Sequence, residues 1–149
     1  MTAAADEPTI VRSGGLEFFH AIDARDLEGM IRIKEEHGDN LDVNWANGDG
    51  DTALHYVSWR GSAEMFRFVL TCGPNVNACD DCTWTPLMRA TVANKVEFVR
   101  LLLQAGADWR IQNDNGHTAL DLACERKFPE IIEVLTSAAS PMVKSAFKA

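Results

Sequence analysis

Basic clusters, long apolar runs and nucleotide-binding glycine signatures are all missing from this sequence, and tyrosine occurs once. No apolar run approaches the roughly 18 residues that a membrane helix needs. A nonspecific nucleic-acid binder must bring clustered Lys and Arg to phosphate, and a chain of net charge -8 without a basic run cannot do so. The same shortage disfavours anionic membrane surfaces. Gly-x-Gly-x-x-Gly, Gly-x4-Gly-Lys-Ser and Gly-x-Ser-x-Gly are absent, which removes the usual signatures of dinucleotide, phosphate and acyl-transfer sites. Asp6, Glu7 and Pro8 stand where a secretory leader would be apolar, so the chain is expected to stay inside the cell, in the cytoplasm or nucleus.

What the sequence does contain is 149 residues, 46% of them apolar, enough for about one domain with a real core. Acidic residues dominate only at the start. Residues 1–51 hold twelve acidic against four basic side chains, and residues 52–149 hold ten of each. Cys72, Cys79, Cys82 and Cys124, in a chain without a leader, are expected to be reduced thiols rather than a disulfide framework.

Self-comparison gives the decisive signal. Thr52-Ala53-Leu54-His55, Thr85-Pro86-Leu87-Met88 and Thr118-Ala119-Leu120-Asp121 recur at intervals of 33 residues, the mark of a repeat protein. Apolar blocks beginning at Met65, Phe98 and Ile131 follow in the same register. Each Thr can cap the free amides of a short helix, and Pro86 is tolerated at the next position because only an unpaired donor is lost. That helix ends near Gly61, Asn94 or Lys127, nine residues after its Thr. A second helix carries the apolar block with Arg67, Arg100 and Glu133 outward, and stops before Gly73 or Gly106. Asn47-Gly48-Asp49-Gly50 and Asn113-Asp114-Asn115-Gly116 suit the turns of extended fingers between units.

This pattern resembles the ankyrin repeat over about Leu16 to Ser140. The resemblance implies an all-α solenoid of four helix-turn-helix units joined by β-hairpin-like fingers, without a sheet core. It divides the chain into a flexible segment 1–15, a repeat domain 16–140 with units of about 16–46, 47–79, 80–112 and 113–140, and a tail 141–149. The first unit fits once about three extra residues are allowed around Lys34 to Asp42. Three departures stand out. The motif His is kept as His55 but replaced by Met88 and Asp121, Thr83 stands where Gly50 and Gly116 mark the finger turn, and Leu16 replaces the capping Thr of the first unit. A distorted third finger is expected, and the terminal units read as caps that face water.

Chemical candidates are few. Cys72, Cys79 and Cys82 with His55 or His117 could complete a tetrahedral zinc shell, yet no second Cys-x-x-Cys or His-x3-His follows, and the register accounts for each cysteine. No metal and no cofactor is expected. In ankyrin repeats the His at the position of His55 ties neighbouring fingers together through its ring nitrogens. No histidine has a sequence partner resembling a catalytic constellation, so catalysis is not supported. Glu35-Glu36 and Asp80-Asp81 read as solvated surface, and the acids around Asp39 to Asn44 lack the calcium-loop register.

Tryptophan is the remaining anomaly, four in 149 residues. Trp109 takes the Val position between units and reads as core. The family register puts Tyr56, Trp59, Arg60, Trp84, Arg89, His117, Glu125 and Arg126 on the concave face, where the rings and guanidinium groups can form a contiguous patch of the kind that dominates interfaces. The acidic first unit with Asp23 and Asp26, together with Asp49 and Asp51 on the next finger, favours a partner bearing a basic patch. The sequence therefore reads as a monomeric protein-protein interaction module with a scaffold or regulatory role, binding neither nucleic acid nor membrane. The alternative is a thiol-based redox or zinc-responsive protein using Cys72, Cys79 and Cys82.

Overall fold

The computed structural model describes residues 13–139. The expected segment 1–15, apart from its last three residues, and the tail 141–149 lie outside the described residues. Eight helices follow one another among the described residues: α1 (Gly15–Asp23), α2 (Leu27–His37), α3 (Ala53–Arg60), α4 (Ala63–Thr71), α5 (Pro86–Val92), α6 (Val96–Gln104), α7 (Ala119–Arg126) and α8 (Pro129–Ala139). They pair as hairpins through turns of two or three residues, and a 3-10 turn at Gly38–Asn40 takes up the extra length of the first unit.

The repeated threonine starts an inner helix each time. Thr52, Thr85 and Thr118 hold the extended conformation, and their side chains accept from the amides of His55, Met88 and Asp121, satisfying donors that the first helical turn leaves free. Asp26 and Ser62 do the same for α2 and α4. Gly73 and Gly106, after α4 and α6, take φ of 71° and 96°, the left-handed close that glycine adopts at least cost. Gly61 acts differently. Its backbone is extended, but an added Cβ would stand 2.7 Å from the Val57 Cα, so the close turn from α3 into α4 excludes any side chain.

Stacking follows from small and large residues in the 33-residue register. Val57, Ala90 and Ala123 are fully buried, and their small side chains bring α3 onto α5 and α5 onto α7. Val69, Leu102 and Leu135 form the corresponding buried row of the outer layer. There the Phe66 and Phe98 rings stack in parallel with centroids 4.2 Å apart. The Ser58 and Thr91 hydroxyls, fully buried, donate to the carbonyls of Leu54 and Leu87 at 2.6 and 2.7 Å, so neither carries a desolvated, unpaired group into the core.

The fingers are turns rather than a sheet. Among the described residues only isolated bridges occur, Ala46 with Thr52 and Ser13 with Leu41. Asn47, Asp80 and Asn113 hold one register position, and each side-chain Oδ1 accepts two amides of its own finger. Neighbouring fingers join through the Asp81 amide on the Asp49 carbonyl at 3.0 Å and the Asp114 amide on the Cys82 carbonyl at 3.1 Å. The expected distortion of the third finger does not occur. Thr83 adopts φ 59° beside 82° at Gly50 and 79° at Gly116, and its hydroxyl donates to Asp114 Oδ1 at 2.7 Å in the next finger. That contact helps hold a conformation costly for a β-branched residue. Trp109, expected in the core, is half-buried and lines a shallow cleft beside Ala138 and Ala139.

Leu102 sits at 0% exposure in the middle of α6. Leu102→Ala should lower unfolding free energy by about 2 to 5 kcal/mol in urea titration, whereas the exposed Ile31→Ala should cost under about 1 kcal/mol.

Candidate functional site

The predicted contact residues divide into two clusters, and no ring contact joins Trp59 with Trp84 among the described residues. The first centres on His55. Its Nε2 stands 2.8 Å from the Trp84 carbonyl, which can only accept, so this nitrogen carries the proton; Nδ1 accepts from the Thr52 amide at 3.1 Å. One imidazole thereby fastens the second finger to the third. Burial, the largest influence on it, pushes the His55 pKa below its ordinary value of 6.5 despite the bond to Trp84 and the nearby carboxylates.

Arg89 completes this cluster. Its guanidinium donates to Asp80 Oδ2 at 2.7 Å, approaches Asp51 Oδ1 at 3.4 Å and lies 5.1 Å from the centre of the Trp84 ring. Asp80, read from the sequence as solvated, is buried. Burial alone would raise its carboxyl, but the Trp84 amide, Arg89 and the Cys82 amide outweigh it and hold the pKa below 3.8. For Asp51 burial wins over Arg89, and its pKa lies above 3.8. Asp51, His55 and Asp80 offer donor atoms within 4.8 Å of one another. The arrangement does not fit a metal, because the His55 ring nitrogens are both engaged and Arg89 already supplies the positive charge.

The second cluster lies at the turn ends of α1 and α3. Trp59 is 44% exposed with the Arg60 guanidinium 4.6 Å over its ring. Tyr56 packs edge-on against Phe19, with ring centroids 4.8 Å apart. Burial and the neighbouring Asp23 carboxylate push its phenol above 10.0. Trp45, at the base of the second finger, meets Phe19 from another direction.

Other predicted positions fall outside both clusters. His117 and Glu125 approach to 4.0 Å on the fourth unit, and Arg126 is exposed at the end of α7. Asp49 projects exposed from the second finger, whereas Asp51 turns toward Arg89. Asp23 lies beside Tyr56 and Asp26 caps α2 through the Gly29 amide, both with exposed side chains. All four cysteines are free thiols. Among the described residues, Cys72, Cys79 and Cys82 join no set of three metal donors with His55 or His117. Burial pushes the Cys72 and Cys79 thiols up, away from the thiolate that zinc binding or redox attack requires.

A two-layer stack of helix hairpins with fingers along one edge defines a repeat solenoid. The family model "Ankyrin repeats (3 copies)" matches residues 21–113 and, in a second placement, 61–145. The chain belongs to the ankyrin-repeat family. It is 40% identical over 109 residues, 72% of its length, to "Putative palmitoyltransferase ZDHHC13" of Danio rerio. It is 32% identical over 124 residues, 81% of its length, to ankyrin repeat and SAM domain-containing protein 6 of Rattus norvegicus. These matches span 17% and 14% of the two relatives. No helix among the described residues is long and apolar enough to cross a membrane.

The His55 shift makes stability depend on pH. The folded state keeps His55 neutral below 6.5 while the unfolded chain takes up a proton, so its contribution is intact above that value and is lost as pH falls. The urea midpoint should drop between pH 7 and about 5.5, with a His55 slope of at most about 1.4 kcal/mol per pH unit. His55→Met, which installs the residue of the third unit, should be less stable at pH 7 and lack that part of the slope. An equal slope in both proteins would place the titration elsewhere.

Proposed function

We propose that this chain binds a partner protein through the concave surface formed by the inner helices and fingers, as a monomeric scaffold or regulatory module. Proteins built of ankyrin repeats are generally protein-protein interaction modules. The observation that carries the reading here is Trp59, a large aromatic left 44% exposed on a surface whose neighbours are held by caps and buried packing. Tryptophan and arginine are the residues most often found at energetic centres of interfaces, and a rigid surface loses little entropy on binding. Tyr56, Arg60, Trp84, Arg89, His117, Glu125 and Arg126 are the proposed surroundings of that anchor. Arg89 and Trp84 would contribute chiefly by holding the groove's shape, since both are committed to the His55 cluster.

The finger tips favour a partner with basic character. Asp49, Asp81 and Asp114 are exposed on successive fingers, and carboxylates in a row attract Lys or Arg side chains and speed encounter at low salt.

Affinity purification from extract with the native chain, followed by titration of the captured partner, tests the reading. Trp59→Ala should weaken binding by about 2 kcal/mol, roughly thirtyfold, with the melting temperature nearly unchanged. Asp49→Asn with Asp81→Asn should slow association and flatten its salt dependence while leaving dissociation almost as it was. A partner indifferent to Trp59 would move the interface off this face.

A further inference from the structure

Arg25 and Arg60 line one cleft of about 260 Å³, with Ile22, Asp23, Tyr56 and Gly61 as its other walls. Arg25 donates through one guanidinium nitrogen to the Arg60 carbonyl at 3.2 Å, and the Arg60 guanidinium rests over Trp59. Neither has a carboxylate within ion-pair distance among the described residues. Asp23, the acid in the same cleft, faces the Tyr56 hydroxyl. Arg67, Arg89 and Arg110 each have an acid partner; other arginines also lack one, and what sets Arg25 and Arg60 apart is that they line the same cleft.

We propose that this cleft receives the carboxylate of a glutamate or aspartate side chain on the partner segment that occupies the groove, with Trp59 packing on apolar residues beside it. The inference rests on the groove being the binding surface. A planar guanidinium presents paired N–H donors that match a carboxylate, and the cleft is smaller than the roughly 300 Å³ where drug-sized sites begin, so it suits one side chain. Charge at the other edge of the groove fixes the rest of the ligand. Asp49, Asp81 and Asp114 are exposed at the finger tips, so the segment meets opposite charge throughout only with its acid at the helix-turn edge and Lys or Arg at the finger edge. A uniformly acidic segment would meet repulsion from the fingers and from the net charge of -8.

Selection of a displayed random dodecapeptide library on the native chain tests this, with Trp59→Ala and Arg25→Gln/Arg60→Gln as comparison baits checked for folding by thermal melting. Peptides that lose affinity for Trp59→Ala should share an Asp or Glu. Replacing that residue by Asn or Gln should weaken binding to the native chain about tenfold or more and change little on the arginine double variant. Arg60→Lys, which keeps the charge and loses the fork, should fall well below the native chain. If the double variant fails to melt cooperatively, Arg60→Gln alone carries the comparison. Trp59-dependent peptides without an acidic preference, or bound equally by the arginine variants, would overturn the carboxylate site and leave the groove reading standing. Enrichment of no peptide, or only of peptides indifferent to Trp59, would overturn both.

Discussion

A hydrogen bond from one buried imidazole to the carbonyl of the next finger is the contact around which the groove is built. No unit of this chain can bury its apolar face alone, so every backbone group at a unit boundary must find its partner in a neighbour or remain desolvated and unpaired. His55 answers that demand between the second and third fingers by reaching Trp84. Once it does, the third finger has one position relative to α3. Asp80, Asp51 and Arg89 are then close enough to neutralise one another. The Trp84 ring is carried along, pinned beneath Arg89. The Asp81 amide on the Asp49 carbonyl joins the same two fingers nearer their tips.

The next boundary lacks that donor and is joined differently. Met88 is buried at the position of His55 but offers no polar hydrogen. The third and fourth fingers keep the amide-to-carbonyl bond of the previous boundary, here Asp114 on Cys82, and add the Thr83 hydroxyl on Asp114 in place of an imidazole. Asn113, the counterpart of Asp80, keeps its two intrafinger bonds, and its buried Nδ2, like the Arg89 Nε, has no protein partner among the described residues. The two boundaries thus differ in chemistry, with an imidazole-to-carbonyl bond at the first and a hydroxyl-to-carboxylate bond at the second.

Local patterns were legible in the sequence because they depend on local physics. The threonine caps, the left-handed glycines after α4 and α6, and the buried row at Val69, Leu102 and Leu135 within the three apolar blocks all follow from periodicity and cap chemistry within one unit. What escaped were contacts between residues some thirty positions apart. The pair Asp80-Asp81 gives no local hint that one carboxylate turns inward to Arg89 and two amides while the other stays in water. The available signal was the shared register of Asn47, Asp80 and Asn113, three side chains able to close the same turn. Thr83 misled for a related reason. Its residue type argues against a left-handed turn, and the compensating bond comes from the following unit. Arg25 gives no local signal either, since it meets Arg60 only across a unit boundary.

The two clusters also divide the labour of the concave face. Arg89 is already bonded to Asp80 and near Asp51, and His55 to Trp84, so a partner that engaged these charges would have to break bonds already made before gaining new ones. Among the described residues Trp59, Arg60 and Arg25 carry no such commitment to carboxylates, and the residues beneath them are fixed: Gly61 admits no Cβ, and Val57 is fully buried. Unspent donors and an exposed ring on a fixed base are what a binding surface needs if contacts are to add affinity rather than replace internal ones. The same division separates mutational effects. Under the proposed reading, changes in the His55 cluster would alter the relation between fingers and reach binding through the fold, while changes at the turn edge of α1 and α3 would act on a ligand with the stack intact.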